Sequence, residues 1–445
     1  MVNPRLLSSA PTSRGLAFDL IRSQGPISRV ELAERTGLTQ ATMSNVVRQL
    51  MVDGLVVEAG RRESTGGKPR TLLSIDPLAR FALGVQLGAD AVTVVLTDLG
   101  GAMVGRLRTH GVYGEAPDAA VARIAAVVAD FLGGLGVPAA RVAGLGLVTP
   151  GPIDLDHGSI HGAPPLEAWA GFPLVSAVHH ATGLPVVLDN DATAAAIGEF
   201  WGGSVADSAA HCTVYYGAGI GAGIVLDGVV FRGASSNAGE LGQVMSRAPG
   251  PFLANTTVEK LAGPVGVALR ARAAVAAGRE AGFALTGLTD PYADFSVVAT
   301  AAVHGDPLAL ELIRDSAEHL AAAVVSIANV LDLDSIVLAG PNLAIAGALY
   351  LEAVRRRVDE DFFAQAAHGV RVELSAYVAD AAAVGGAALV LQREIASRPA
   401  GGASAPASPS APASPSAPAS PSAPASPSAP AAPSVPPAPT TSEAP

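Results

Sequence analysis

From residue 78 to residue 397, short β-rich runs alternate with alanine-rich stretches of helical length, the pattern of layered α/β structure. It predicts strands at 81–87, 92–97, 142–147, 186–188 and 336–339, and helices at 118–132, 193–201 and 306–331. Hydrophobic residues make up 49% of the 445-residue chain, enough to fill a large core. Flanking this stretch are segments of different character. Residues 15–75 carry their own punctuation and end at Asp76-Pro77. From Pro399 the composition collapses to Ala, Ser and Pro, with SAPASP repeated from Ser404, Ser410, Ser416 and Ser422. Prolines remove backbone donors there, and side chains this small cannot offset the entropy of ordering. The expected organisation is a flexible arm at 1–13, a first domain at 14–76, a second at 77–398 and a disordered tail at 399–445.

Charge divides along the same lines. The net charge is −11, yet residues 1–75 hold ten Lys and Arg against six Asp and Glu, leaving eighteen against thirty-three for the rest. Such asymmetry suits a basic nucleic-acid reader attached to an acidic body. The single cysteine, Cys212, excludes an internal disulfide and a multi-cysteine metal site. The opening MVNPRLLSSAPTSRG has no apolar core resembling a signal peptide, and the most apolar long stretch is interrupted by Asp332 and Asp334. A cytoplasmic protein without a membrane span, metal or cofactor is expected.

Within the first domain, Ser28-Arg29-Val30-Glu31 reads as a capping box that starts a helix at Arg29. Leu32 and Ala33 face inward, Gly37 permits a sharp turn, and Thr39 caps a further helix. In that helix Met43, Val46, Val47 and Leu50 recur at core spacing, so Gln40, Thr42, Ser44, Asn45 and Arg48 are left for the opposite face. Their amide, hydroxyl and guanidinium groups suit base edges and phosphates in a major groove. Two further strands, 55–58 and 71–75, flank a glycine-rich tip with Arg61, Arg62, Lys68 and Arg70, a wing whose cations suit phosphates or a minor groove. The segment is predicted to be a winged helix-turn-helix that binds double-stranded operator DNA.

In the second domain the run YGAGIGAGIVLDGVVFRG places a strand, a glycine-rich loop and an Asp-Gly hairpin in succession. Its glycines would let backbone N–H groups approach a phosphate, although tight turns use glycine too. Upstream, Leu188-Asp189-Asn190-Asp191 ends a strand and opens a helix. Such a junction can hold an exposed carboxylate at a pocket, or Asp191 can simply cap the helix.

Several motifs in one order, SRVELAERTGLTQATMSNVV, GGKPR, TPGPID, LPVVLDNDATAAAIGE, GAGIGAGIVLDG and SSNAGELG, resemble the ROK family of repressors and sugar kinases over residues 14–397. The resemblance implies an actin-like, ribonuclease-H-like fold of two α/β lobes. It also implies a sugar pocket using an Asn-Asp pair, matched by Asn190 and Asp191, and the Glu of an AGE motif, matched by Glu240. A further family Glu aligns with Glu259. Carboxylates suit vicinal hydroxyls because each accepts two or more hydrogen bonds. In kinase members the Asp matched by Asp191 is the general base.

Two departures bear on activity. Kinases of the family open with Asp-x-Gly-Gly-Thr, whereas here Gln86-Leu87-Gly88-Ala89-Asp90 puts a neutral amide where a carboxylate would hold magnesium and a carboxylate where a hydroxyl would face phosphate. Many members bind zinc through a His and three cysteines. The His position is Gln243 and no cysteine follows, so the ligand set cannot be assembled. Gln243 is instead a candidate for a sugar hydroxyl. The expected function is a sugar-responsive transcriptional regulator, a homodimer or homotetramer whose kinase-like domain senses a sugar or sugar phosphate without catalysis. An active sugar kinase with a DNA-binding head is the competing reading, and Asp191 would be its base. A scaffold with a vacant pocket is opposed by the polar groups retained at Asn190, Asp191 and Glu240.

Overall fold

The computed structural model describes residues 12–62, 70–88, 90–162, 166–202, 204–247, 255–286 and 290–397. Residues 1–11 of the arm expected at 1–13, Lys68 and the tail lie outside them, while Thr12 caps and Ser13 opens the first helix. The chain opens with α1 (Ser13–Gln24), β1 (Ile27–Ser28), α2 (Arg29–Thr36), α3 (Gln40–Val52), β2 (Val56–Arg62) and β3 (Arg70–Ile75). The three strands form an antiparallel sheet in the order β1-β3-β2. Local chemistry sets the boundaries. Ser28 Oγ accepts from Glu31 N at 3.3 Å while Ser28 N donates to the Glu31 carboxylate at 2.9 Å, closing the capping box. Gly37 takes a left-handed conformation (φ 68°), and Thr39 Oγ1 accepts from Thr42 N to start α3. Met43, Val47 and Leu50 are buried, with Val46 partly so.

The remaining elements build two sheets on one plan. The first uses β4 (Phe81–Leu87), β5 (Ala91–Asp98), β6 (Met103–His110), α4 (Pro117–Leu135), β7 (Val142–Thr149), the small hairpin of β8 (Ile153–Asp154) and β9 (Ser159–Ile160), α5 (Leu174–Thr182), β10 (Val186–Asn190) and α6 (Asp191–Gly202). Its strand order is β10-β7-β4-β5-β6: an antiparallel meander, β4 to β6, extended by two parallel strands. The second uses β11 (Ala210–Tyr216), β12 (Ile220–Leu226), β13 (Val229–Val230), a two-stranded ribbon of β14 (Met245–Arg247) and β15 (Asn255–Thr257), α7 (Val258–Ala262), α8 (Pro264–Ala276), α9 (Pro291–Val303), α10 (Pro307–Leu331), β16 (Ser335–Ala339), α11 (Leu343–Asp361), β17 (Arg371–Leu374) and α12 (Ala381–Ser397). The order β13-β12-β11-β16-β17 again joins a meander to two parallel strands. At the β12–β13 hairpin Asp227 and Gly228 both have positive φ, 49° and 74°, as a two-residue turn requires. Among the described residues no single helix is long and apolar enough to cross a membrane.

Helices α6 and α12 pack together between the sheets, and glycines let them approach backbone to backbone. A Cβ on Gly84 of β4 would stand 1.7 Å from the Ala383 carbonyl, one on Gly223 of β12 would stand 2.2 Å from that of Ala192, and one on Gly385 of α12 would stand 1.7 Å from that of Ala194. The head is joined to these same two helices. Phe18 of α1 stacks on Trp201 near the end of α6, with ring centroids 6.1 Å apart, and the Arg22 guanidinium lies 4.3 Å from the Trp201 ring centroid. Arg14 Nε donates to the Ile395 carbonyl of α12 at 3.1 Å. Buried residues of the head, α6 and α12 form one continuous hydrophobic cluster, so the core of the head runs on into these two helices.

Candidate functional site

A cavity of about 930 Å³ opens between the sheets, and its lining includes Asn190, Asp191, Glu240, Gln243 and Glu259. The five candidates lie far apart in sequence, and three different structural devices bring them together. The first is the β10–α6 junction. Helix α6 begins at Asp191, one residue earlier than the reading that made Asp191 its cap, and the capping role falls to Asn190. The Asn190 Oδ1 accepts from Ala192 N at 2.9 Å and Thr193 N at 3.2 Å. Asp191 Oδ1 also receives Ala192 N, at 2.8 Å, while its side chain lines the cavity. Below the junction Asp189 is clamped by Arg232 through two bonds of 2.9 and 2.6 Å, a bidentate buried pair that anchors the strand end.

The second device is the AGE turn. Asn237, two residues before Gly239, receives Ile153 N at 2.8 Å and donates to the Ile153 carbonyl at 3.1 Å, fastening this turn to the TPGPID segment. Gly151 in that segment keeps space beside the site: a Cβ there would lie 3.1 Å from Glu240 Oε1 and 3.2 Å from Asn190 Nδ2. The third is the glycine-rich loop. Ile220 N donates to Glu259 Oε2 at 3.1 Å, and a Cβ on Gly219 would stand 2.2 Å from that oxygen. The glycine therefore admits Glu259, and this loop N–H holds a carboxylate of the chain itself. Gln243 is exposed and reaches Glu259 Oε1 at 3.5 Å.

Electrostatics follow from this crowding. Burial raises the Asp191 carboxyl to about 7, with a smaller push from Glu240, against the lowering effect of the Ala192 N–H. Glu240 is also raised, by desolvation first and by Glu259 second. Among the described residues, the carboxylates of Asp90, Asp191, Glu240, Glu259 and Asp290 line the cavity with one cation, Lys260. A smaller adjoining cleft of about 360 Å³ shares Asp90, Asp191 and Asp290 with it and adds Gln86, Arg106 and Arg108. Gln86 and the two arginines are engaged there: Gln86 Nε2 with Tyr215 Oη at 2.6 Å, Arg106 with Asp380 at 2.6 Å, and Arg108 with Asp90 at 3.2 Å. Among the described residues no group of three or more His, Cys, Asp or Glu is arranged to hold a metal ion. Cys212 is buried in β11, and burial pushes its thiol up to about 12.

Sequence reasoning did not single out Tyr292 and Asp290, which line both cavities, nor Asn237 and Arg232. The Asp290-Pro291 pair is a visible helix start, with Asp290 accepting from Tyr292 N and Ala293 N, but nothing in it announces a pocket. Asn237 sits within a motif read only for its Glu.

On the head, Gln40, Thr42, Asn45 and Arg48 are exposed on α3 and Ser44 is half-buried. Arg48 donates to Asn45 Oδ1 at 3.0 Å and Thr42 shares a hydroxyl contact with Thr39, so these groups are pre-arranged by one another. Arg61 and Arg62 belong to β2 opposite Thr71 and Arg70, and Arg70 is exposed.

The chain is 26% identical over 368 residues to the xylose repressor of Caldicellulosiruptor bescii, covering 82% of this chain and 92% of that protein. A ROK family transcriptional regulator, a homolog of the E. coli MLC protein, superposes with a TM-score of 0.68 at 26% identity, over 86% of this chain and 96% of its own. A ROK family glucokinase from Streptomyces griseus, solved with glucose and AMPPNP, gives a TM-score of 0.58 at 25% identity over 69% of this chain and 98% of its own. The sequence pattern of the family matches residues 82–393, and the chain is a member of the ROK family.

Proposed function

We propose that this protein is a DNA-binding transcriptional repressor of sugar metabolism genes whose effector is an uncharged sugar. Residues 14–76 act as a winged helix-turn-helix and 77–398 as a two-lobed, actin-like effector domain. The observation that carries the reading is the cavity itself: hydrogen-bonding carboxylates and an amide suited to sugar hydroxyls, in a chain whose exposed α3 face suits a major groove. The charge decides between a sugar and a sugar phosphate. Among the described residues of the main cavity Asp90 is paired with Arg108 and burial raises Asp191 to about 7, but Glu240, Glu259 and Asp290 face a single lysine, and both arginines of the adjoining cleft are engaged by carboxylates, so a phosphate would meet uncompensated negative charge. Magnesium-triphosphate chemistry is disfavoured by Gln86 in its bond to Tyr215 and by Glu259 on the loop N–H. Gln40, Thr42, Ser44, Asn45 and Arg48 would read operator bases, with Arg61, Arg62, Lys68 and Arg70 on phosphates. A homodimer or homotetramer would match paired half-sites.

The test is a thermal-shift and operator-binding panel pairing D-xylose, D-glucose and N-acetylglucosamine with their phosphate esters. A free sugar at 100 times its dissociation constant should stabilise by about 2.7 kcal/mol and lower operator affinity. A phosphate ester that binds more tightly than its parent contradicts the effector class; silence across the panel and toward DNA contradicts the whole reading. One observation favours an active kinase instead: a carboxyl raised to about 7, as at Asp191, is suited to a general base at neutral pH. A coupled assay with ATP and each panel sugar should show no turnover. Sustained turnover of about 1–100 per second would establish the kinase.

A further inference from the structure

We infer that Trp201 is the contact through which occupancy of the cavity reaches the DNA-reading head. This rests on the effector reading above and names how it is transmitted.

Helix α6 has its first residue, Asp191, in the cavity lining and its eleventh, Trp201, beneath α1. Ten residues of helix span about 15 Å, so a single rigid element joins sensing site to head. Its packing leaves little to absorb a displacement. Gly198 meets Gly385 of α12 at backbone distance, and the Gly223 and Gly385 sites admit the Ala192 and Ala194 carbonyls, with no flexible side chain between. Movement at Asn190 and Asp191 is therefore carried along α6 rather than dissipated in rotamer changes.

At the far end the head grips Trp201 on two sides. Phe18 stacks on the indole, and Arg22, its side chain only 4% exposed, covers the ring while donating to the Trp201 carbonyl. Among the described residues, the buried indole Nε1 has no hydrogen-bond partner, and neither has Arg22 Nε. Buried orphan donors are costly, so this seat is held with a penalty that another arrangement could relieve. Such a contact suits a switch between two packings. Arg14, bonded to the end of α12, gives the head a second hold that can act as pivot.

The experiment uses the full chain with the panel sugar that gives the largest thermal shift, and a DNA fragment selected by the wild type from a random pool. Trp201 and Trp169 are the two tryptophans. In a Trp169→Phe background, sugar addition should change the emission of Trp201, and Asp191→Ala should abolish that change. Wild type should show the coupling usual for such proteins, about 5- to 150-fold between operator affinities with and without sugar. In Trp201→Phe and, separately, Arg22→Met, sugar affinity and sugar-free operator affinity should stay within about threefold of wild type while the ratio falls toward one; reciprocity requires that DNA then cease to alter sugar affinity. Arg22→Met keeps the buried stem and guards against a folding failure at Trp201. Full coupling in both folded variants, or an unresponsive Trp201 emission while sugar still releases DNA, overturns the inference and leaves the effector reading intact. If no panel sugar binds, both fall together.

Discussion

Asp191 shows most clearly how one residue's surroundings set its chemistry. Its carboxyl ionises near 3.8 in an unfolded chain and at about 7 in the fold. Between those values the folded protein keeps a proton that the unfolded chain has released. Stability of the sugar-free protein should therefore fall as pH rises through that window, by about 1.4 kcal/mol per pH unit at most, and remain reduced above it. Asp191→Asn should flatten this slope and raise the melting temperature at pH 8, while weakening sugar binding about tenfold or more through loss of charge-assisted bonds. Melting curves from pH 4 to 8 check the first part. A variant with the wild-type slope would remove Asp191 as the source. The sequence made Asn190-Asp191 visible as a strand-to-helix junction, but not the division of labour within it. Which residue caps depends on a one-residue shift in helix start, which local propensity does not resolve. On the head, Gln40→Ala and Asn45→Ala should change the preferred operator sequence. Arg70→Ala should lower the salt slope of binding by about 1 and leave the preference unaltered.

At the scale of elements, glycine serves two purposes that the sequence does not distinguish. The strand and helix spans 81–87, 142–147 and 306–331 were legible from periodicity, because burial on one face writes itself into the pattern. What a glycine makes room for was not, because it depends on a partner far away in sequence. The glycines of GAGIG suit either a phosphate or a tight turn; the neighbour of Gly219 is the end of the Glu259 side chain. Gly385 stands against the Ala194 backbone. Alanine at the two positions should thus give opposite results. Gly219→Ala can be relieved by swinging one carboxylate, so stability should change little while sugar affinity drops about tenfold or more with the loss of an ordered charged partner. Gly385→Ala must separate two helices and should destabilise by about 1–3 kcal/mol or more. Paired denaturant titration and sugar binding on both variants read the difference, and equal destabilisation would mean that the two glycines do the same job.

For the whole molecule, the question is whether the head is a passenger or part of the body. Its capping box, turn glycine and amphipathic α3 suggest a self-contained unit, and each of those local signals is present in the fold. The contacts that decide the matter are non-local: Phe18 and Arg22 on Trp201, Arg14 on Ile395, and a hydrophobic cluster that continues from α1 into α6 and α12. No periodicity in residues 14–76 announces them, since Phe18 and Ile21 look like the core of a three-helix module. A segment of about 60 residues is marginal on its own, and exposing one large apolar side chain such as Phe18 costs about 1.5–3 kcal/mol. Excised residues 1–76 should accordingly melt well below the full chain, and the cations Arg14 and Arg22 should lose their buried settings. Circular dichroism of the fragment, with operator binding measured beside it, makes the comparison. A fragment that melts cooperatively at the temperature of the full protein and binds DNA equally well would show that the head is a tethered reader, and control by sugar would then have to act on the spacing of heads in an oligomer rather than through the seat of α1.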